Sequence, residues 1–361
     1  MGRLDALRAA MAETRTDLVA LGPGAHMRWV AGFRPHPDER PCLLLVSQTG
    51  AGFLMPALNA EEARKSTDSP FWVWADADGP EAALGAALNS LGVLDAQRVA
   101  IDEAMRADFA LLVLDTLPEA AHAYAADTVG SLRMRKDGDE YASLKANADI
   151  ADGAMRALWA GLKPGITELE AAALARSHFV QAGATPLFTI VGASENGAFP
   201  HHATGDRVLA IGDALVLDIG ARHGAFSSDI TRMAAIGHPP EGYQAVHTIV
   251  DAAVEAAMAA ARPGVPARRV DQAARSVITD AGYGAYFVHR TGHGLGLEGH
   301  EPPWITATSE TVLQPGMVFS IEPGIYLPGR FGVRLEEIVI LREDGPEMLS
   351  TLPRDLAIIP V

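Results

Sequence analysis

The sequence predicts two domains: an α/β domain over residues 1–130 and an α+β domain over residues 131–361 that contains a duplicated hairpin. Three observations support this prediction. Short apolar runs alternate with helix-like runs up to about residue 128, longer helical periodicity begins near residue 132, and two similar strand segments ending in an acid follow later. The length agrees, because one hydrophobic core seldom extends beyond about 250–300 residues.

The first domain shows alternating strand and helix patterns. Its predicted helices cover residues 2–14, 59–66, 81–91 and 107–116, and its predicted strands cover 17–21, 41–46, 52–56, 71–74, 98–101 and 121–128. The segment 32–41 contains three prolines and predicts an irregular loop. This loop is either a solvated connector or a segment that reaches a binding site across a subunit interface.

Long amphipathic helices characterise the second domain. Helices are predicted over residues 139–162, 167–182, 241–262 and 266–281. Thr167 and Glu170 have the spacing of a capping box, and Pro266 suits a first helical turn.

Composition and charge narrow the class of protein. Lys and Arg number 29 against 45 Asp and Glu, so the net charge of −16 argues against nucleic acid or an anionic membrane as the main partner. The single cysteine, Cys42, cannot form an internal disulfide, which predicts a reducing compartment. The N-terminus lacks the apolar stretch of a secretory signal, and no apolar run reaches membrane-spanning length. We therefore predict a cytoplasmic protein.

Two segments of the second domain resemble each other. Residues 212–220 and 316–324 share a glycine, five residues, an acid, one residue and a second glycine. The acids are Asp218 and Glu322, each at the end of an apolar run. Another acid follows on the next strand-like run, Asp229 after the first and Glu336 after the second. The pattern predicts a duplicated hairpin with an acid on each strand, unless so short a match arises by chance.

Residues 289–301 contain three histidines and four glycines. His289 and His293 are four apart, as on a metal-binding helix, but the glycines predict extended backbone and turns instead. Neutral imidazole is the commonest side-chain metal ligand. The alternative is a glycine-rich surface loop with three solvated histidines.

An acid within an apolar strand loses its hydration, so it needs a partner. An arginine or backbone amides would satisfy one or two such acids. Four acids with a histidine-rich segment favour metal ions. Four carboxylates and a hydroxide carry five negative charges and two dications carry four positive charges, so two metals fit better than one. A two-metal site of this kind predicts hydrolysis.

Together with residues 196–202, these segments resemble the M24 metallopeptidase family, which has the pita-bread fold, in its prolidase and Xaa-Pro aminopeptidase branch. The resemblance covers the whole chain. It implies an α/β creatinase-like N-terminal domain over residues 1–130 and an α+β pita-bread catalytic domain with pseudo-twofold duplicated hairpins over residues 131–361.

The resemblance also implies a role for each site residue. Asp218 would bind the first metal, His293 and Glu322 the second, and Asp229 and Glu336 would bridge both. Glu322 would also act as general base, and His300 would hydrogen-bond the tetrahedral intermediate. The remaining implied positions are His201 and His289 around the scissile bond and the proline, His202 in place of His201 if the register shifts by one, and Arg334 beside the substrate or the carboxylate ligands.

One position departs from the family pattern. Prolidases carry an arginine that binds the free carboxylate of a dipeptide, and here Trp304 stands where that arginine would fall. Either longer peptides enter, as in an Xaa-Pro aminopeptidase, or another cation supplies the anchor, with Arg34 or Arg40 as candidates. The compact length and the rigid loop favour an Xaa-Pro dipeptidase.

The resemblance further implies two divalent ions, with Mn²⁺ preferred over Co²⁺ or Zn²⁺, short proline-containing peptides as substrates, and a homodimer. Three rival functions differ in what they require. A non-catalytic peptide-binding relative or a creatinase-type enzyme would lack metal ligands, and none is missing here. A methionine aminopeptidase would lack the N-terminal domain.

Overall fold

A computed structural model describes residues 2–361 of the chain. The chain divides between Arg133 and Met134 into two compact units. The first unit contains six strands that form one mixed sheet, in the order β4-β3-β2-β1-β5-β6. The strands are β1 (Leu18–Leu21), β2 (Leu43–Ser47), β3 (Ala51–Pro56), β4 (Phe71–Trp74), β5 (Arg98–Ile101) and β6 (Ala121–Tyr124).

Helices cover this sheet because its central strands are apolar and buried on both faces. They are α1 (Arg3–Thr14), α2 (Ala25–Ala31), α3 (Ala57–Ala63), α4 (Glu81–Ser90), α5 (Ala107–Thr116) and α6 (Val129–Arg133). β1 and β2 are buried at every position, and their leucines pack against Leu84, Leu88 and Val113 of the helices. Cys42 lies in this unit, buried, with its Sγ 3.7 Å from Met55 Sδ.

Two predictions for the first unit need correction. The strand expected over 121–128 ends at Tyr124, because Ala125–Asp127 form a 3₁₀ turn that leads into α6. Helix α2 was not expected; it is seven residues long and bounded by Gly24 and Gly32, so its sequence is too short to show a helical period. The segment 32–41 has no helix or strand, as predicted.

The second unit has four long helices, α7 (Gly138–Gly161), α8 (Glu168–Gln181), α9 (Tyr243–Ala260) and α10 (Arg268–Asp280). Capping boxes begin α7 at Asp137 and α8 at Thr167, and the second of these was predicted. Pro266 does not lie in the first turn of α10, since Ala267 caps that helix. Short 3₁₀ turns also form at Ser194–Ala198 and Gly284–Tyr286.

Two five-stranded sheets and one short hairpin complete the second unit. The first sheet has the order β18-β10-β8-β7 with β9 beside β8, the second has the order β12-β11-β13-β16-β17, and β14 pairs with β15. The strands are β7 (Thr185–Ala193), β8 (Ala214–His223), β9 (Phe226–Ser227), β10 (Ile230–Ile236), β11 (Gly292–Gly294), β12 (Glu301–Ile305), β13 (Val318–Ile321), β14 (Gly324–Leu327), β15 (Phe331–Arg334), β16 (Glu337–Arg342), β17 (Gly345–Met348) and β18 (Ala357–Ile359).

The duplicated segments occupy corresponding places in the two sheets. β8 pairs antiparallel with β10, and β13 pairs antiparallel with β16. Each segment starts at a glycine with positive φ, Gly212 at +93° and Gly316 at +88°, a conformation that favours glycine. The repeated glycine therefore reflects a repeated turn before each acid-bearing strand.

Two apolar cores enclose these sheets. One core joins α9 and α10 to β13 and β16, and the other joins α7 and α8 to β7 and β8. The acid-bearing strands thus rest on helices, which fixes their ends in place. Among residues 2–361, no helix combines the length and the hydropathy that crossing a membrane requires.

Candidate active site

The five predicted ligand residues lie within these strands or directly beside them, and they converge. Asp218 lies within β8, Asp229 directly precedes β10, His293 is the middle residue of β11, Glu322 directly follows β13, and Glu336 directly precedes β16. Ligand atoms of Asp218, Asp229 and Glu336 lie within 4.8 Å of one another, and so do those of His293, Glu322 and Glu336. Glu336 belongs to both groups, so the two groups are adjacent.

The donor set fits divalent cations. Asp218 Oδ1 and Glu336 Oε1 are buried and have no hydrogen-bond partner within residues 2–361. Burial and the neighbouring carboxylates raise the pKa of Asp229 and of Glu336 well above the usual range. Carboxylates that are buried this close together need a neighbouring positive charge to remain ionised. Hard divalent cations, which bind oxygen and imidazole ligands, supply that charge.

His293 is oriented as a ligand. Its Nδ1 lies 3.0 Å from Gly294 O, and a carbonyl can only accept, so Nδ1 carries the proton of the neutral ring. Nε2 is then left with a lone pair, 3.1 Å from Glu322 Oε1 and 3.8 Å from Asp229 Oδ2. A backbone partner at the far nitrogen commonly fixes a metal-binding histidine in this way.

Glycines in β11 allow the strands around His293 to approach closely. A Cβ on Gly292 would lie 1.9 Å from Ser320 O, and one on Gly294 would lie 2.2 Å from Pro302 O. The prediction of extended backbone for this segment is confirmed, and the reason for these two glycines is the close approach of neighbouring strands.

Hydrogen bonds extend from the carboxylates to His289. Arg334 Nη2 donates to Asp218 Oδ2 at 2.6 Å, and Arg334 Nη1 donates to the Tyr326 hydroxyl at 2.7 Å. His289 Nδ1 donates to Arg290 O at 2.7 Å, so its Nε2 accepts from the Tyr326 hydroxyl at 2.8 Å. Burial lowers the pKa of His289, which agrees with a neutral ring.

A cavity of about 530 Å³ opens onto this cluster. It is lined by Phe188, Ile190, Pro200, His201, Asp218, Asp229, His289, Arg290, His293, His300, Glu322 and Arg334. His300 packs on His293 with ring centroids 3.8 Å apart. Desolvation lowers the pKa of His300 to about 4, and positive charge on His293, when that ring is protonated, and on Arg290 acts in the same direction. The cavity thus combines the predicted acids and histidines with an apolar wall.

Comparison with known proteins identifies the family. The profile of "Metallopeptidase family M24" matches residues 142–343, more than half of the chain, and that of "Creatinase/Prolidase N-terminal domain" matches residues 3–135. The chain belongs to metallopeptidase family M24. The predicted fold class is confirmed by these matches and by M24 relatives of known structure.

Individual M24 relatives match over nearly the whole chain. "Probable dipeptidase PepE" of Mycobacterium tuberculosis is 37% identical over 99% of this chain and 96% of the relative. "Xaa-Pro dipeptidase" of Lactobacillus delbrueckii subsp. lactis is 32% identical over 99% of both chains. The crystal structure of Dipeptidase PepE from Mycobacterium ulcerans has a TM-score of 0.94 at 37% identity, covering 99% of this chain and 97% of that one.

The consecutive histidines of the M24 domain, His201 and His202, have different surroundings. His201 lines the cavity, whereas His202 Nε2 lies 2.8 Å from Glu168 Oε2. Glu168 is completely buried and also accepts from Ala193 N, Asn196 Nδ2 and Gly205 N. Glu168 therefore holds both ends of the segment that carries His201.

Arg34 and Arg40 belong to the first unit of this M24 chain. Arg34 Nη1 donates to Pro23 O at 3.3 Å. Arg40 forms ion pairs with Asp38, Glu39 and Asp76. Their proposed contact with a substrate carboxylate stays a prediction.

Sequence reasoning missed several residues of the site. Arg290 lines the cavity, Tyr326 connects Arg334 to His289, and the Thr231 hydroxyl donates to Glu336 Oε2 at 2.9 Å. Neither Thr231 nor Tyr326 stands out in its apolar strand. The position of Arg290 beside His289 was the available signal, because the two residues are consecutive.

Proposed function

We propose that this M24 peptidase is a dinuclear-metal Xaa-Pro dipeptidase that hydrolyses the peptide bond before a C-terminal proline. The observation that carries the proposal is the convergence of Asp218, Asp229, His293, Glu322 and Glu336, with buried carboxylate oxygens left unpaired. The Lactobacillus relative named Xaa-Pro dipeptidase supports the substrate class. Phe188, Ile190 and Pro200 give the cavity an apolar wall that suits a proline ring.

The same five residues would hold two divalent ions. Mn²⁺ is our first choice and Co²⁺ or Zn²⁺ the alternatives, because carboxylate and imidazole ligands accept all three. When bound, the ions polarise the scissile carbonyl and promote deprotonation of a water molecule. Asp229 and Glu336 are the proposed bridging ligands, and Glu336 belongs to both donor groups.

Glu322 is the proposed general base. Ser320 Oγ donates to Glu322 Oε1 at 3.0 Å, and Glu322 N donates to Thr291 O at 2.8 Å, so both its side chain and its backbone are oriented. Burial opposes the ionisation of Glu322, but a protonated His293 would hydrogen-bond to it and lower its pKa, and a metal ion on His293 Nε2 would supply positive charge in the same place. An ionised, oriented carboxylate can take the proton of the attacking water.

Three histidines are the proposed contacts to the substrate. Arg290 Nη2 lies 3.2 Å from His300 Nδ1, and a guanidinium can only donate, so the neutral His300 ring carries its proton on Nε2. That Nε2–H is the proposed donor to the oxyanion of the tetrahedral intermediate. His201 and His289 are the proposed contacts around the scissile bond, and Arg334 holds Asp218 in place.

We also propose that the protein acts in the cytoplasm as a homodimer on short proline-containing peptides. The lone cysteine supports a reducing compartment. The second candidate function is an Xaa-Pro aminopeptidase, which Trp304 favours because it replaces the arginine expected to bind a dipeptide carboxylate.

A metal-supplemented assay tests the proposal with Xaa-Pro, Xaa-Pro-Xaa and Met-Xaa-Xaa peptides, with Glu322→Gln as the control. Cleavage of the dipeptide alone supports the dipeptidase. Cleavage of the tripeptide supports the aminopeptidase, and an active Glu322→Gln variant would contradict the assignment of the base.

A further inference from the structure

Arg290 is a half-buried cation without an acidic partner. Its guanidinium lines the cavity, and within residues 2–361 it forms no ion pair. The guanidinium donates a hydrogen bond to His300 Nδ1. Burial lowers the pKa of Arg290 and Glu322 opposes this effect, but an arginine stays protonated in proteins. Other arginines behave differently: Arg334 pairs with Asp218, and Arg40 pairs with three acids.

The charges of the cavity leave a place for one anion. Four carboxylates, those of Asp218, Asp229, Glu322 and Glu336, and a hydroxide would carry five negative charges, which two dications and the guanidinium of Arg334 would balance. The charge of Arg290 would then lack a counter-ion, and a partly desolvated cation is stabilised by a bound anion. Among protein cations, the planar guanidinium suits a carboxylate best, because two parallel N–H donors match its two oxygens.

Trp304 orients this guanidinium. The central carbon of the Arg290 guanidinium lies 4.5 Å from the Trp304 ring centroid, within the range of a cation–π contact. Trp304 lies on β12 opposite His293 of β11, one strand away from a proposed metal ligand, and is 37% exposed. Stacking holds the plane of the guanidinium, and the bond to His300 uses one of its five N–H donors.

Building on the proposed Xaa-Pro activity, we propose that Arg290, stacked on Trp304, binds the C-terminal carboxylate of a dipeptide substrate. The tryptophan that replaces the expected arginine thus supports an arginine from the segment that directly precedes β11. A tripeptide carries its carboxylate one residue further along, so this contact selects for dipeptides.

The test compares Ala-Pro with Ala-Pro amide, which lacks the carboxylate but keeps the scissile bond. The metal-loaded protein should prefer Ala-Pro in kcat/KM. In Arg290→Met this preference should fall about 10- to 100-fold, the effect of losing a charge-assisted hydrogen-bonded pair. Arg290→Lys, which keeps the charge but not the planar fork, should retain part of it. The ratio is the readout, because any effect of Arg290 through His300 lowers both substrates alike.

Arg330→Met is the matched control, because Arg330 also stacks on a ring, that of Phe331, and also hydrogen-bonds one neutral acceptor. It should leave the ratio unchanged. Arg34→Met and Arg40→Met test the rival anchors. If either of these, rather than Arg290→Met, abolishes the preference, the anchor lies in the proline-rich loop and the proposal is wrong.

Binding gives a second readout that needs no turnover. In calorimetric titrations of the metal-loaded protein, L-proline should bind more tightly than L-prolinamide, and Arg290→Met should remove the difference. A difference that persists in Arg290→Met would overturn the proposal. A wild-type protein that cleaves both Ala-Pro substrates equally would overturn the anchor alone, whereas one that cleaves neither would overturn the proposed function.

Discussion

The Thr231 hydroxyl offers a sharp test of how the metal site is organised. It is completely buried, accepts from Arg334 Nε at 3.2 Å and donates to Glu336 Oε2 at 2.9 Å. Thr231→Val keeps the shape but removes both bonds. A hydrogen bond to a charged group contributes about 1.5–3 kcal/mol, and loss of such a partner behind a metal ligand lowers metal affinity about 10- to 100-fold.

The assay is calorimetric titration of metal-free wild type, Thr231→Val and Thr231→Ser with Mn²⁺. We expect Thr231→Val to bind Mn²⁺ about 10- to 100-fold more weakly and Thr231→Ser, which keeps the hydroxyl, to stay close to wild type. Urea unfolding of the metal-free proteins separates a loss of folding from a loss of ligand orientation. Equal Mn²⁺ affinity in wild type and Thr231→Val would refute the reasoning, because Glu336 would then be oriented without the hydroxyl.

Three further predictions concern buried polar groups outside the ligand set. Lys136→Met should lower the free energy of unfolding by about 3–5 kcal/mol in urea, because it leaves the buried Glu301 charge without the 2.6 Å ion pair; unchanged stability would contradict this. Glu168→Gln places an amide N–H against groups that donate hydrogen bonds to Glu168, so it should lower the free energy of unfolding by about 1–3 kcal/mol. It should also raise KM for Xaa-Pro peptides, because Glu168 holds the segment that carries His201. Burial lowers the pKa of His247 below its usual value of 6.5. Below pH 6.5 the unfolded chain therefore binds a proton that the folded protein excludes, and the free energy of unfolding falls as the pH drops. His247→Leu should make stability less dependent on pH in this window, as measured by urea midpoints; parallel curves for the two proteins would exclude such a contribution.

The acids of the site were predictable because each one lies within an apolar strand or directly beside one. Burying a carboxylate such as that of Asp218 within a β-strand costs free energy, so its presence indicates a functional role that apolar residues in the same strand do not have. The capping box at Thr167 was predictable for a similar reason, since its two side chains act within one helical turn. The structure brings the predicted acids and histidines together around one cavity.

Other features depend on tertiary proximity and leave no local pattern. Tyr326 matters because its hydroxyl joins Arg334, on the paired strand β15, to His289, which lies 37 residues earlier in the chain. The role proposed for Arg290 depends on its contact with Trp304, which lies fourteen residues later on β12. Short elements such as α2 form because the unit packs around them, and their own sequence is too short to specify a helix.

The position of Cys42 gives this protein a natural reporter of unfolding. Its thiol is 3% exposed, and burial raises its pKa to about 12, so thiolate-directed reagents meet an unreactive, inaccessible sulfur. Labelling therefore requires the first unit to open around the start of β2. Because the sequence contains one cysteine, the labelling rate follows the opening of the first unit separately from the second, which carries the metal ligands.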